Sequence, residues 1–238
     1  MHLFCLHHAG GTTASFAGWR FQGVTVTKAG YRGRNFASFG AAADSIASRV
    51  QESRSPRIAL YGHSMGAVLA FEVALRLQAS GTVAHVFLAA ARPPSGFLPV
   101  THDAGAAATG KIPAAVWADA VLAEPGVSDT LSERALEVLQ EDLALLGSYQ
   151  GRPPARQLEV PATVLVGRDD PVVPASESAR WADWCAAAPP VVEAGRGHLF
   201  HVGNPAVMRL VERTLAEPYQ DQGEQQKARR HRMSPGFP

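Results

Sequence analysis

The chain has little of several things. It carries 2 cysteines in 238 residues, which excludes a framework of several disulfides. Cys5 falls in an apolar, strand-like run and Cys185 in an expected helix, so both are read as reduced packing thiols. Charged residues make up 18% and the formal net charge is +1, so no global field directs the protein to nucleic acid or to a membrane surface. No apolar run reaches the ~18 residues of a spanning helix, and the first residues lack a basic-plus-apolar leader. The expectation is a cytoplasmic protein without membrane or nucleic-acid partners. What the chain does have is 46% hydrophobic residues, enough to bury one large core.

That hydrophobic content is arranged in alternation. Short apolar runs near 2–7, 23–28, 57–62, 83–90, 162–167 and 190–193 read as buried strands. Helical patterns fall between and after them, near 12–19, 38–52, 65–79, 175–188 and 205–217. Alternating strands and helices predict an α/β fold with a parallel sheet covered on both faces. Phe39, Ala43, Ile46 and Val50 form one stripe; Val207, Leu210, Val211 and Leu215 form another, behind an Asn204-Pro205 start signal. With no strand read ahead of residue 2, six parallel strands are expected.

Residues 93–155 are too many for a simple crossover. Helical patterns near 113–123 and 129–149 occupy them, the second with Leu136, Leu139, Leu143 and Leu146 on one face. A helical lid inserted in a single domain of 1–217 is the expectation; the alternative is a helical pair that packs on the core and meets no substrate. Residues 218–238 are rich in Gln, Lys and Arg and read as a disordered tail, with Lys227–Arg232 as a solvated basic cluster.

Chemistry concentrates at Gly62-His63-Ser64-Met65-Gly66, a G-x-S-x-G pentapeptide between an apolar strand-like run and an apolar helix-like run. A strand turning sharply into a helix there exposes the Ser64 hydroxyl on a strained bend, with the helix N-terminus aimed at it. Glycine at 62 and 66 lets strand and helix pass closely. In such folds the chain order is Ser, acid, His. The acid belongs in the loop after the strand near 162–167, where Asp169 and Asp170 compete. The spacing Gly167-x-x-Asp170-x-x-x-Pro174 favours Asp170 and leaves Asp169 as a solvated neighbour. His198, His201 and His231 follow the acid. His198 ends a glycine loop, whereas His201 reads as a packing residue and His231 lies in the polar tail.

Two backbone donors must face the oxyanion. One is the amide of Met65; the other belongs to the loop His7-His8-Ala9-Gly10-Gly11, with Ala9 the candidate. His7-His8 could suggest a metal, but no acid or Cys cluster accompanies the pair, so neither metal nor cofactor is expected. Most loops at the strands' C-terminal ends carry arginine: Arg32, Arg34, Arg92, Arg168 and Arg196. They are expected to attract an anionic substrate arm, or to pair internally, Arg168 with Asp169 above all.

These blocks together resemble a known family. Leu3-Phe-Cys-Leu-His-His-Ala-Gly-Gly-Thr-Thr-Ala-Ser-Phe16 is similar to the opening of type II thioesterases of polyketide and nonribosomal peptide synthesis. So are the Ser64 block through Ala74, Tyr31-Arg-Gly-Arg34, Glu141-Asp-Leu-Ala-Leu-Leu-Gly-Ser-Tyr149 and the Gly167–Pro174 and Gly197-His198 segments. The resemblance spans residues 2–217 and implies an α/β-hydrolase, its six strands ordered 2-1-3-4-5-6, with a Ser64, Asp170, His198 triad. It also implies cleavage of acyl thioesters on the phosphopantetheine arm of acyl or peptidyl carrier proteins, as editing or release. Two loop positions depart from that family: His7 stands where it usually has Pro, and Gly30-Tyr31 where it usually has Pro-Gly. Residues 93–128 match poorly. Other readings are an esterase, a cyclising release enzyme or a non-catalytic partner-binding relative.

Overall fold

The computed structural model describes residues 1–31, 36–97, 133–151 and 158–216. Arg32, Arg34, the expected helix near 113–123 and the tail from 218 lie outside the described residues.

Strand-forming runs pair into one sheet: β1 (His2–Leu6), β2 (Thr25–Ala29), β3 (Ile58–His63), β4 (Val83–Ala89), β5 (Ala162–Arg168) and β6 (Val191–Arg196). The order is β2-β1-β3-β4-β5-β6, as the family resemblance implies, and every neighbouring pair is parallel, as the alternation predicts. The two-residue period of the strands sorts the core into two layers. Leu3, Cys5, Ala59, Tyr61, Phe87 and Leu165 point to one face; Phe4, Leu6, Leu60, Leu88 and Val164 point to the other. Both layers are apolar because both are covered by helices.

The helices are α1 (Phe39–Glu52), α2 (Met65–Leu77), α3 (Glu133–Gly147), α4 (Ala175–Ala179) and α5 (Pro205–Ala216). Ser38 caps α1, its Oγ accepting from the Ala41 amide at 3.2 Å. Asn204 does the same for α5, accepting from the Ala206 amide at 2.9 Å. The α1 stripe is buried as expected; on α5, Val207, Val211 and Leu215 are buried and Leu210 is half-buried. Every residue of α2 except Arg76 is buried, Glu72 included. Glu72 is held by the Tyr149 hydroxyl at 2.8 Å and by Arg76 at 2.7 Å, and Arg76 also reaches Asp44 at 2.5 Å. This network ties α1, α2 and the segment after α3 around a carboxylate that burial would otherwise penalise heavily.

Two expected helices are shorter than their patterns. The run near 12–19 is a single 3₁₀ turn, Thr13–Phe16, because Gly18 takes a left-handed φ of 77° and Phe16 and Trp19 turn inward against Tyr61. The run near 175–188 divides into α4 and a 3₁₀ turn, Arg180–Trp184. There the Trp181 indole donates to the Ala91 carbonyl at 2.8 Å and both tryptophans are buried. Cys185 therefore lies beyond a helix rather than in one, and its backbone bridges to Leu158. Both thiols are buried and free, and burial pushes Cys185 up to about 11.

Helix α3 crosses the C-terminal edge of the sheet. Leu139 packs on Gly10, and Leu143 meets the Val172–Val173 segment. It thus covers two of the loops that the strand ends project.

Candidate active site

The sharpest backbone feature sits where β3 becomes α2. Ser64 has φ 57° and ψ −118°, a conformation that costs a non-glycine residue on the order of 1–3 kcal/mol. Its side chain makes no capping bond to α2, so the hydroxyl is not consumed by the helix it precedes. The flanking glycines are dictated by closeness. A Cβ on Gly62 would lie 2.1 Å from the Gly66 carbonyl oxygen, and one on Gly66 would lie 2.3 Å from that of Leu6. The second distance also locates the end of β1: Leu6 and His7 press against the first turn of α2.

Strain recurs along this edge. Ala90, after β4, and Asp169, after β5, also have positive φ, at 49° and 56°. Backbone bonds lace the strand ends together: Ser64 N–H to Ala89 O at 2.8 Å, Ala90 N–H to Leu165 O at 2.9 Å and Gly197 N–H to Arg168 O at 2.8 Å. Such outliers persist only where the surroundings over-determine them.

The turn at Asp169 separates the two aspartates. Asp170 points inward, and its side chain is fully buried. Its Oδ1 accepts from the amides of Val172 at 2.8 Å and Val173 at 2.9 Å, and His198 Nδ1 lies 2.9 Å from Oδ2. Asp169 points outward and pairs with Arg196 at 2.7 Å. Arg168 pairs with Glu193 at 2.5 Å, so the internal pairing expected between Arg168 and Asp169 is crossed instead. Two of the five loop arginines thus spend their charge on carboxylates, and Arg92 leans on the Val172 carbonyl at 3.4 Å.

His198 is delivered by the loop after β6. Gly167 must lack a side chain for it, since a Cβ there would lie 2.0 Å from the Gly197 carbonyl oxygen. The neighbour of Ser64 ties that loop down: His63 Nε2 donates to the His198 carbonyl at 2.7 Å. The structure therefore brings Asp170 and His198 into direct contact and joins His198 to the Ser64 bend through His63.

Beneath them lies a cluster the sequence reading did not anticipate. His63 stacks on His201 with ring centroids 3.8 Å apart, and His8 meets both edge-on. Burial, with smaller contributions from neighbouring histidines, pushes the pKa of His63 and His201 well below the usual 6.5, so both rings are neutral at pH 7. His201 packs, as its position past the glycine loop suggested. Among the described residues no group of three or more His, Cys, Asp or Glu side chains is arranged to hold a metal ion. Asp142 was also unforeseen as a site residue: from α3 its Oδ2 accepts the Gly10 amide at 2.8 Å, fastening α3 to the loop after β1.

An inward acid–imidazole pair tied through His63 to a strained serine bend at a helix N-terminus can support acyl transfer through a covalent serine ester. Comparison with known proteins points the same way. The probable cadicidin biosynthesis thioesterase of Streptomyces griseus is 31% identical over 202 residues, covering 77% of this chain. The match covers 53% of that relative, so this chain spans about half its length. RedJ, a thioesterase from the prodiginine biosynthetic pathway in Streptomyces coelicolor, is 28% identical with a TM-score of 0.70, over 90% of this chain and 88% of that one. BorB, a type II thioesterase from the borrelidin biosynthetic cluster, shares the fold at 23% identity and a TM-score of 0.69, over 90% of each chain. The thioesterase domain family matches residues 1–215, and the chain belongs to that family.

Proposed function

We propose that this protein hydrolyses acyl thioesters carried on the phosphopantetheine arm of acyl or peptidyl carrier domains, releasing or editing chains on a polyketide or nonribosomal peptide synthase. The observation that carries the reading is the buried Asp170–His198 pair tied to the Ser64 bend, in a chain of the thioesterase family.

In this reading His198 takes the Ser64 proton as Oγ attacks the thioester carbonyl. Asp170 holds the imidazole with Nδ1 protonated, leaving Nε2 to face the serine. The amides of Met65 and Ala9 take the developing oxyanion, each worth about 3 kcal/mol in the transition state. The thiolate leaves with the proton from His198, and water, activated by the same ring, releases the acid. The chemistry calls for no cofactor beyond the pantetheine that the substrate brings. Likeness to the cadicidin and prodiginine thioesterases supports a synthase partner; no helix among the described residues is long and apolar enough to cross a membrane.

Turnover of one acyl group offered as carrier thioester, pantetheine thioester and oxygen ester tests this. The expected ranking is carrier thioester, then pantetheine thioester, then ester. Preference for the oxygen ester would make the protein an esterase.

A further inference from the structure

Two loop residues, His7 after β1 and Tyr31 after β2, meet in space. The His7 and Tyr31 rings stack with centroids 4.1 Å apart and 19° between planes. The Tyr31 hydroxyl donates to the His7 carbonyl. His7 itself turns back on the loop: its Nδ1 lies 2.8 Å from the His8 carbonyl oxygen. A carbonyl only accepts, so Nδ1 carries the proton in this bond. Gly11 N–H donates to the same oxygen at 3.0 Å.

That oxygen belongs to the peptide joining His8 to Ala9. In a trans peptide the N–H points opposite to the C=O. Two donors gripping the His8 carbonyl from one side therefore fix where the Ala9 N–H points on the other. The flanking peptides are held as well. Tyr31 grips the carbonyl before it, and the Gly10 amide after it is held by Asp142 on α3 at 2.8 Å. Gly10, at φ 74°, makes the bend that allows this. His7 is 1% exposed, so its ring bonds the backbone rather than solvent.

We propose that His7 is a positioning residue for the reaction: its Nδ1–H, steadied by the Tyr31 stack and hydroxyl, aims the Ala9 amide at the oxyanion. The inference rests on the reading of Ala9 as an oxyanion donor. An amide set in advance costs no reorganisation when charge develops, and a misplacement of about 1 Å costs about 100-fold in rate.

Two substitutions separate the hydrogen bond from the packing. His7→Phe keeps a ring against Tyr31 and loses the donor. His7→Asn loses the ring but places an amide N–H near the position of Nδ1. Each is measured in thioester turnover and in affinity for two ligands: a trifluoromethyl ketone analogue of the acyl-pantetheine, and a non-reacting thioether analogue. With the ketone, Ser64 Oγ bonds to the carbonyl carbon, its proton passes to His198, and the ketone oxygen becomes the oxyanion. His7→Phe should lose about 10- to 100-fold in kcat and the same factor in ketone affinity. Its KM and thioether affinity should stay within about twofold, and His7→Asn should remain within about fivefold of the unsubstituted protein in all four. The opposite ranking, or equal weakening of ketone and thioether, would reduce His7 to packing and overturn the proposal. Should His7→Phe fail to fold, Tyr31→Phe, which keeps the stack, is expected to lose ketone affinity selectively; unchanged affinity there overturns it equally. An unsubstituted protein that forms no ketone adduct on Ser64 refutes the acyl-enzyme reading itself, and the positioning role falls with it.

Discussion

Asp169 and Asp170 are adjacent in the chain and belong to different regions of the molecule. The first lies in a surface lattice with Arg196, beside the Arg168–Glu193 pair, and all four side chains are about half exposed or more. The second lies in a buried chain of polar groups that runs through His198 and His63 to His201. Both regions join carboxylates to nitrogen-bearing side chains, guanidinium groups outside and imidazoles inside. What differs is water. On the surface, solvent screens each pair and can replace either partner, so the geometry is loosely determined. Inside, every bond that holds His198 is one that water cannot supply, so each fixes a position. The left-handed turn at Asp169 separates the two regions by sending consecutive carboxylates in opposite directions.

The comparison breaks first at the aspartates. Asp170→Asn removes the acceptor that keeps His198 Nδ1 protonated, and kcat should fall about 10⁴-fold. Asp169→Asn should change kcat less than about threefold. Steady-state kinetics on one thioester decides it; the reverse ranking would move the acid to the surface residue.

A second effect follows from the buried rings. His63 and His201 resist protonation in the folded protein, whereas in the unfolded chain each takes a proton near pH 6.5. Below that pH the unfolded state binds more protons, so stability is complete above about pH 6.5 and falls as pH drops beneath it. Each ring contributes at most about 1.4 kcal/mol per pH unit. His85, lowered to about 4 by burial, adds a third over the same range down to that value. Urea unfolding between pH 7.5 and 5 should show this decline, and His201→Phe should make it shallower by about one proton. An unchanged slope would mean that His201 is protonated in the fold.

The smallest effect is expected at the surface. Glu193→Gln or Arg196→Ala should shift Tm by less than about 2 °C, and less still in 1 M salt. A larger shift would mean that the surface pairs are structural after all.

How far the sequence discloses this molecule depends on whether the signal is local. The strands and their parallel pairing were legible because each strand is a bounded apolar run alternating with helices; their order came with the family resemblance. Gly62 and Gly66 were legible because a close crossing demands glycine at fixed spacing. Asp170 rather than Asp169 could be favoured from the loop spacing, and the structure shows why: a positive φ at 169 turns its neighbour inward. The short turns at Thr13–Phe16 and Arg180–Trp184 were not legible, since large rings that dock elsewhere override helical periodicity. His63, Asp142 and the His7–Tyr31 stack escaped for another reason. Their partners lie 24 to 135 residues away, and pairing at such separation leaves no mark in one sequence. His63 and Asp142 did sit inside the blocks that carry the family resemblance, which was the available hint.

The central claim is that Ser64 carries the acyl group between two half-reactions. Rapid acid quenching during turnover of an acyl-pantetheine thioester, followed by peptide mass mapping, tests it most directly. The account predicts an acyl mass on the peptide containing Ser64, formed and consumed at the rate of turnover and absent in Ser64→Ala, which should also lose essentially all activity. Turnover that proceeds with no adduct at Ser64, or that survives Ser64→Ala, would contradict it.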